Sequence, residues 1–377
     1  MAFAHAYDIQ LVIILLVSMH RQGQVLRLAL KVSMGGPGRA VAACGAMGDE
    51  RTVAVGERRL PFDPRPNPRT GAVGLMREST ASDATSALQD SLAHDGYLLL
   101  RGALPAEAVA AARRAVVSGL VAHGWQFADE EHLVLSDDHP CPCPWSAQGG
   151  SSAVGQPFGG AALQAVMQSP AVLRVAEGEE IFDIFQRIFS EPASTLDMKW
   201  LRAMSPVPKD SEPSGGFHCD NVFMGRGSKQ LTTAWVPFAD VSVELGGLVA
   251  LQGSSSLPGF QKLRETYGVV DVDRCDIKGA GPGGHPLLLA SLDPAARWVT
   301  SDFKAGDLVL FGMHTLHGGI RNETDRQLRL SADLRFQPAR ERRDERWIGH
   351  PPPMHERSRG LSVRISLLCV ASLERFR

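Results

Sequence analysis

No stretch of this 377-residue sequence holds the run of about 20 apolar residues that a bilayer-spanning helix requires. The apolar run Leu11–Val17 is far shorter. It follows Asp8 and His5 instead of a basic segment, so it reads as neither membrane anchor nor secretory signal. Cysteine is sparse, with six in the chain, and Cys141 and Cys143 are spaced C-P-C with no second pair. That pattern excludes a disulfide scaffold and a structural zinc finger. An excess of charge of one sign is also missing. Lys+Arg 39 against Asp+Glu 41 leaves a net charge of −2, which gives no global attraction to nucleic acid or to an anionic membrane surface. No repeat of 20–50 residues recurs. The chain ends in Arg377 without an S-K-L address or a lipidation box, and the expected location is the cytoplasm. What remains, 44% hydrophobic and 21% charged residues, is ordinary for a globular protein.

Residues 1–85 read as leader and linker: Pro61, Pro64, Pro66 and Pro68 lie among six arginines over 51–80, with no helical apolar period. Met34 and Met47 are alternative starts. A single domain is expected over 86–348, followed by a tail over 349–377 that opens on Pro351-Pro352-Pro353. Gly96-Tyr97-Leu98-Leu99-Leu100 predicts a strand after a turn. Pro105 then opens a helix whose apolar face is Val109, Ala112, Val116 and Leu120. Further helices are expected over Ala161–Gln168 and Glu179–Ser190. After Pro192 the pattern shifts to short strands, over Leu196–Met204, Phe217–Phe223, Gln230–Phe238, Leu248–Gln252, Asp307–Phe311 and Leu328–Phe336. Helices first and strands later predict a mainly β core buttressed by helices.

Within Phe217-His218-Cys219-Asp220-Asn221, a period of two puts His218 and Asp220 on one face of the expected strand. An imidazole and a carboxylate so placed can share a metal ion. About a hundred residues later, D-L-V-L-F-G-M-H-T-L-H-G-G over 307–319 ends a strand in two histidines. One of them completes a 2-His-1-carboxylate set, which occupies one face of a six-coordinate Fe(II) and leaves the opposite face open. His314 and His317 are three apart and on opposite strand faces; His317, at the strand end before Gly318-Gly319, is the preferred ligand. On the next strand Arg329, Ser331, Asp333 and Arg335 alternate with Leu328, Leu330, Ala332, Leu334 and Phe336. The apolar face fits packing on helices and the polar face fits a lumen, where an Arg near iron would meet a dicarboxylate.

These segments resemble the phytanoyl-CoA dioxygenase family of Fe(II)/2-oxoglutarate oxygenases. The resemblance runs from Asp95-Gly96-Tyr97 to Trp347 and is carried by F-H-C-D-N-V-F-M-G (217–225), T-A-W-V-P-F-A-D-V (233–241), E-L-G-G-L-V-A-L-Q-G-S (244–254), K-A-G-D-L-V-L-F-G-M-H-T-L-H (304–317) and R-N-E-T-D-R-Q-L-R-L-S-A-D-L-R-F-Q-P (321–338). It implies a double-stranded β-helix, a jelly-roll or cupin-like core with flanking helices. It further implies iron ligands His218, Asp220 and His317, Arg329 on the distal carboxylate of 2-oxoglutarate, and Trp235 and Trp200 lining the same pocket. For both tryptophans plain core packing is the competing reading. Fe(II), 2-oxoglutarate and O2 are thus the implied cofactor and co-substrates, and succinate and CO2 the implied by-products. Retention of Asp220, which related halogenating enzymes give up, points to hydroxylation or another oxidation.

The interval from His317 to Arg329 is one residue longer than the family pattern, which makes Arg326 the fallback. Gly253 is followed by Ser254-Ser255-Ser256 where relatives often carry a histidine. The rival class is a catalytically silent barrel that binds a small molecule or a protein. A zinc hydrolase would need H-x-H-x-D or H-E-x-x-H, and neither string occurs. His139 to Cys143 reads as an extended loop between prolines, and Cys219 as a core thiol. The expected partner is a small-molecule or lipid-like substrate, with no nucleic acid. Substrate identity and oligomeric state are not encoded in any motif.

Overall fold

In the computed structural model the described residues are 51–56, 58–65, 70–139, 165–207, 216–274, 282, 285–350 and 352. Fifteen strands are present among them: β1 Thr52–Val55, β2 Arg58–Pro61, β3 Gly74–Leu75, β4 Glu78–Thr80, β5 Tyr97–Arg101, β6 Phe127–Asp129, β7 Val134–Leu135, β8 Ala193–Thr195, β9 Trp200–Met204, β10 Thr232–Pro237, β11 Leu248–Gln252, β12 Arg297–Thr300, β13 Leu308–Gly312, β14 His317–Gly319 and β15 Arg329–Pro338. The principal helices are α1 Thr85–Asp95, α2 Ala106–Ala122, α3 Pro170–Ala176, α4 Glu179–Phe189 and α5 Asn221–Met224.

The major sheet is seven-stranded, in the order β4-β5-β13-β10-β15-β8 with β9 also paired to β15. A four-stranded sheet, β14-β11-β12-β3, faces it. Between them lies an apolar layer that includes Tyr97, Leu99, Trp235, Val309 and Phe311 from the major sheet, Leu248, Ala250 and Val299 from the other, and Phe303 just beyond β12. This is the double-stranded β-helix core of the expected fold class. The two sheets do not hydrogen-bond into a closed barrel.

The alternation of β15 is realised. Leu330, Ala332, Leu334 and Phe336 join a cluster with Val109, Val116, Leu120, Ile181 and Phe185 of α2 and α4. Phe336 stacks on Phe185 with ring centroids 4.1 Å apart. Burying one such side chain contributes about 1.5–3 kcal/mol. The opposite face, Arg329, Ser331, Asp333, Arg335 and Gln337, is buried too, so its polar groups meet each other in the lumen and not water. Gly96 joins α1 to β5 in the left-handed region, φ +80°, where a Cβ would lie 2.6 Å from Ser255 Oγ.

Several expectations are revised. Part of the stretch read as linker is built into the fold: β1 and β2 form a hairpin whose Val53, Val55, Leu60 and Phe62 pack with Val249, Leu251 and Trp298. β3 pairs with β12, and β4 pairs with β5. The prolines masked this, although Pro61 sits where a strand tolerates it, at the end of a two-stranded edge. The strand expected over Leu196–Met204 is confined to Trp200–Met204. The strand expected over Phe217–Phe223 reduces to one bridge, His218 to His317, before α5 begins. Of the helix expected over Ala161–Gln168, residues 165–167 are helical and 161–164 lie outside the described residues. Cys141, Cys143, Met34 and Met47 also lie outside them. Among the described residues no helix is long and apolar enough to cross a membrane.

Candidate metal centre

β14 delivers the second histidine to the first. The backbone amide of His218 donates to His317 O at 3.1 Å, and that of His317 donates to His218 O at 3.0 Å. A pair that exchanges both bonds sits directly opposite across an antiparallel ladder, with its side chains on the same face. The two rings accordingly lie with centroids 4.4 Å apart. Strand parity does not place Asp220. The chain leaves the ladder after His218, and Asp220 has helical dihedrals, φ −64° and ψ −22°, as N-cap of α5. Its carbonyl accepts from Phe223 and Met224 at 3.0 Å each, and this turn carries the carboxylate beneath both rings.

Asp220 Oδ1 lies 3.6 Å from His218 Nε2 and 3.7 Å from His317 Nε2. One ligand atom from each of the three residues falls within 4.8 Å of the others. A six-coordinate ion with bonds of about 2.1 Å sets neighbouring donors roughly 3 Å apart, so contraction by less than an ångström would close the two carboxylate–imidazole gaps around one. His317 Nδ1 lies 2.9 Å from Thr315 O. That carbonyl accepts the Nδ1 proton, which fixes the ring and leaves Nε2 as the free donor pair. Burial, and then the neighbouring His218, push His317 down to about 4 against the pull of Asp220, so the imidazole is neutral at pH 7. Burial works to raise the Asp220 carboxyl, but Arg335, His317 and His218 hold it well below the usual carboxylate range. The candidate donor set is two imidazoles and a carboxylate, without thiolate: Cys219 packs in an apolar cluster with Phe217, Val222 and Val249. Burial and the adjacent Asp220 charge raise its thiol to about 12.

His314 stands apart from this cluster, beside Gly268, where a Cβ would lie 3.1 Å from its Nδ1. Arg329 starts β15, and its Nη2 lies 4.0 Å from where a Cβ on Gly319 would be, two residues beyond His317. The guanidinium is buried and Nη1 donates to Ser331 Oγ at 2.8 Å. Nε has no partner among the described residues. Burial, only partly offset by Asp333, lowers the group to about 10. A buried cation with an orphaned donor suits a carboxylate guest. Arg326, the fallback, is spent elsewhere: it donates to Ser136 O and pairs with Asp137 at 2.7 Å. Trp235 is packed edge-on against Phe303, centroids 4.8 Å apart, within the inter-sheet layer. Trp200 is half-buried, edge-on to Trp347 at 5.0 Å, with the Arg335 guanidinium 4.9 Å over its ring.

Two groups at the centre went unassigned in the sequence. Thr233 Oγ1 donates to Asp220 Oδ2, and Arg335 Nη2 lies 3.2 Å from the same oxygen. The alternation of β15 marked Arg335 as lumenal, but only strand pairing sets it beside the H-x-D turn. A cleft of about 390 Å³ also opens beside Asn221, lined by Arg226, Lys229, Arg274, Arg342 and Asp271. Its basic side chains are scattered through the sequence and form no linear patch.

Comparison with known proteins bears on the same region. A family profile for phytanoyl-CoA dioxygenase (PhyH) matches residues 92–330. The chain is 23% identical over 287 residues to a 1-deoxypentalenic acid 11-beta-hydroxylase of Streptomyces arenae, covering 69% of this chain and 86% of that one. Among solved structures it is similar to the epimerase SnoN in complex with Fe3+, alpha ketoglutarate and nogalamycin RO, with 22% identity, TM-score 0.44, and coverage of 71% of this chain and 86% of that one. It is also similar to EctD from S. alaskensis, with 17% identity, TM-score 0.46, and coverage of 81% and 94%.

Proposed function

The chain belongs to the phytanoyl-CoA dioxygenase family of iron(II)- and 2-oxoglutarate-dependent oxygenases, and we propose that it hydroxylates a small-molecule or lipid-like substrate at a metal held by His218, Asp220 and His317. The observation that carries this reading is the meeting of these three side chains on Asp220 Oδ1. Iron(II) and 2-oxoglutarate, when bound, supply with O2 the oxidation of a substrate C–H bond, with release of succinate and CO2.

The chain's own residues do the rest. His317 is held neutral and oriented by Thr315 O. Asp220 stays ionised and carries the one negative charge of the donor set. Arg329, buried and with a free Nε, would hold the far carboxylate of 2-oxoglutarate through charge-assisted hydrogen bonds. Trp200, edge-on to Trp347 and under the Arg335 guanidinium, packs beside the residue that pairs with Asp220. The named hydroxylase is called after an acid, but the basic side chains of the cleft beside Asn221 are paired within the chain, Arg226 and Arg274 with Asp271 and Arg342 with Glu345. The domain we assign to this activity is 86–348 together with the preceding strands, and cytoplasmic action on a small molecule, without nucleic acid, is the setting we infer.

The test is anaerobic titration of the purified chain with Fe(II) and 2-oxoglutarate, watched for the weak visible charge-transfer band of the chelate. The band is expected in the wild type and in His314→Ala, and lost in His317→Ala and His218→Ala. Intact folded protein without a band would overturn the oxygenase assignment and leave a silent binding core.

A further inference from the structure

Building on the reading of His218, Asp220 and His317 as a metal centre, we propose that Arg335 and Thr233 are positioning residues. They hold Asp220 to one-oxygen ligation and thereby keep a coordination position free for the co-substrate. The two carboxylate oxygens have different surroundings. Oδ1 faces both Nε2 atoms, at 3.6 and 3.7 Å. Oδ2 is taken by the hydroxyl of Thr233 and by Arg335 Nη2 at 3.2 Å. Thr233 and Arg335 are direct cross-strand partners on β10 and β15, so the major sheet delivers both donors to one oxygen.

Arg335 is itself restrained on every side. Its guanidinium lies 4.9 Å over the Trp200 ring, Nε contacts Met224 Sδ at 3.2 Å, and Nη1 donates to Leu334 O at 3.3 Å. Nη2 is also 3.9 Å from Asp333 Oδ2, an oxygen fixed by Arg202 at 2.6 Å. Swinging Asp220 to present both oxygens would break the Thr233 hydrogen bond and the Arg335 ion pair. It would also leave the buried Arg335 charge with only the more distant Asp333 carboxylate. The consequence is a matter of vacancy. With two imidazoles and one carboxylate oxygen, a six-coordinate ion keeps one face open. A carboxylate bound through both oxygens takes part of that face, where a chelating 2-oxo acid must sit. Arg335 also draws charge from the ligand, so it trades metal affinity for an open face.

The experiment uses the full chain as wild type and as Arg335→Met, Arg335→Lys, Thr233→Val and Thr233→Ser. Fe(II) is titrated anaerobically first and 2-oxoglutarate second. Cobalt(II) absorption reports the coordination number, and circular dichroism reports the fold. The expected result is a split. Arg335→Met binds Fe(II) at least as tightly as wild type, while its dissociation constant for 2-oxoglutarate rises about tenfold or more, the weight of a charge-assisted hydrogen bond. Thr233→Val shifts the same way by less, and Thr233→Ser and Arg335→Lys restore much of the loss. A merely structural role predicts both affinities falling together, and that result would overturn the proposal, as would an unchanged 2-oxoglutarate affinity in folded Arg335→Met. Should Arg335→Met fail to fold, the Thr233→Val and Thr233→Ser pair decides by the same split. A wild-type chain that binds neither Fe(II) nor 2-oxoglutarate instead removes the metal-centre reading, and this inference with it. Normal wild-type binding with no split in the variants removes this inference alone.

Discussion

Replacing Arg329 with Met is expected to stabilise the metal-free protein while abolishing tight 2-oxoglutarate binding. The guanidinium is fully enclosed, with no carboxylate in hydrogen-bond contact among the described residues and Nε unpartnered. Burial drags it from its ordinary range to about 10. At 1.36 kcal/mol per pKa unit this displacement represents about 3 kcal/mol held against the folded state at neutral pH. Met keeps the length and apolar stem of the side chain and removes the charge. The orphaned Ser331 hydroxyl gives back about 1 kcal/mol, which leaves a net gain of about 2 kcal/mol. For a domain of this size that corresponds to roughly 3–4 °C in the melting temperature. Binding moves oppositely. Losing a bidentate carboxylate partner removes about 3 kcal/mol or more, on the order of a hundredfold in the 2-oxoglutarate dissociation constant. Differential scanning fluorimetry, with and without metal and 2-oxoglutarate, reads both effects. Wild type should gain stability on adding 2-oxoglutarate by mass action, and the variant should start higher and gain little. A metal-free variant less stable than wild type, or one with unchanged 2-oxoglutarate affinity, would refute the reasoning.

Other perturbations follow from the same geometry. Folded His317 titrates at about 4, below the ordinary value, so its contribution to stability is present above about pH 6.5 and is lost as pH falls toward 4. Urea titrations of metal-free protein across that window should show the loss, and His317→Gln should flatten it. Cys219, raised to about 12, should resist iodoacetamide at pH 8 in the native protein and react on denaturation; peptide mapping of native protein showing it alkylated would refute its burial. Phe336→Ala removes the stack on Phe185 and should cost about 3–5 kcal/mol, measured by chemical denaturation, with Fe(II) affinity of the folded fraction unchanged.

The sequence by itself determined the elements whose patterns are local. The helix opened by Pro105 buries Val109, Ala112, Val116 and Leu120 as its period demands. The alternation of 329–337 required one apolar and one polar face, and both exist. Residue type and strand parity together favoured His317 over His314, and His317 is the histidine that meets Asp220. Tertiary structure decided everything that depends on which strand lies beside which. Proline-rich 51–62 joins the core because Val53, Val55, Leu60 and Phe62 find an apolar sheet face to cover, a partner that no local pattern reveals. Asp220 reaches the histidines through a helical turn and not through strand parity. Thr233 and Arg335, about a hundred residues apart, converge on one carboxylate oxygen because β10 and β15 pair in that register. A one-dimensional pattern encodes which face a side chain takes; only pairing sets its distance to a group far along the chain.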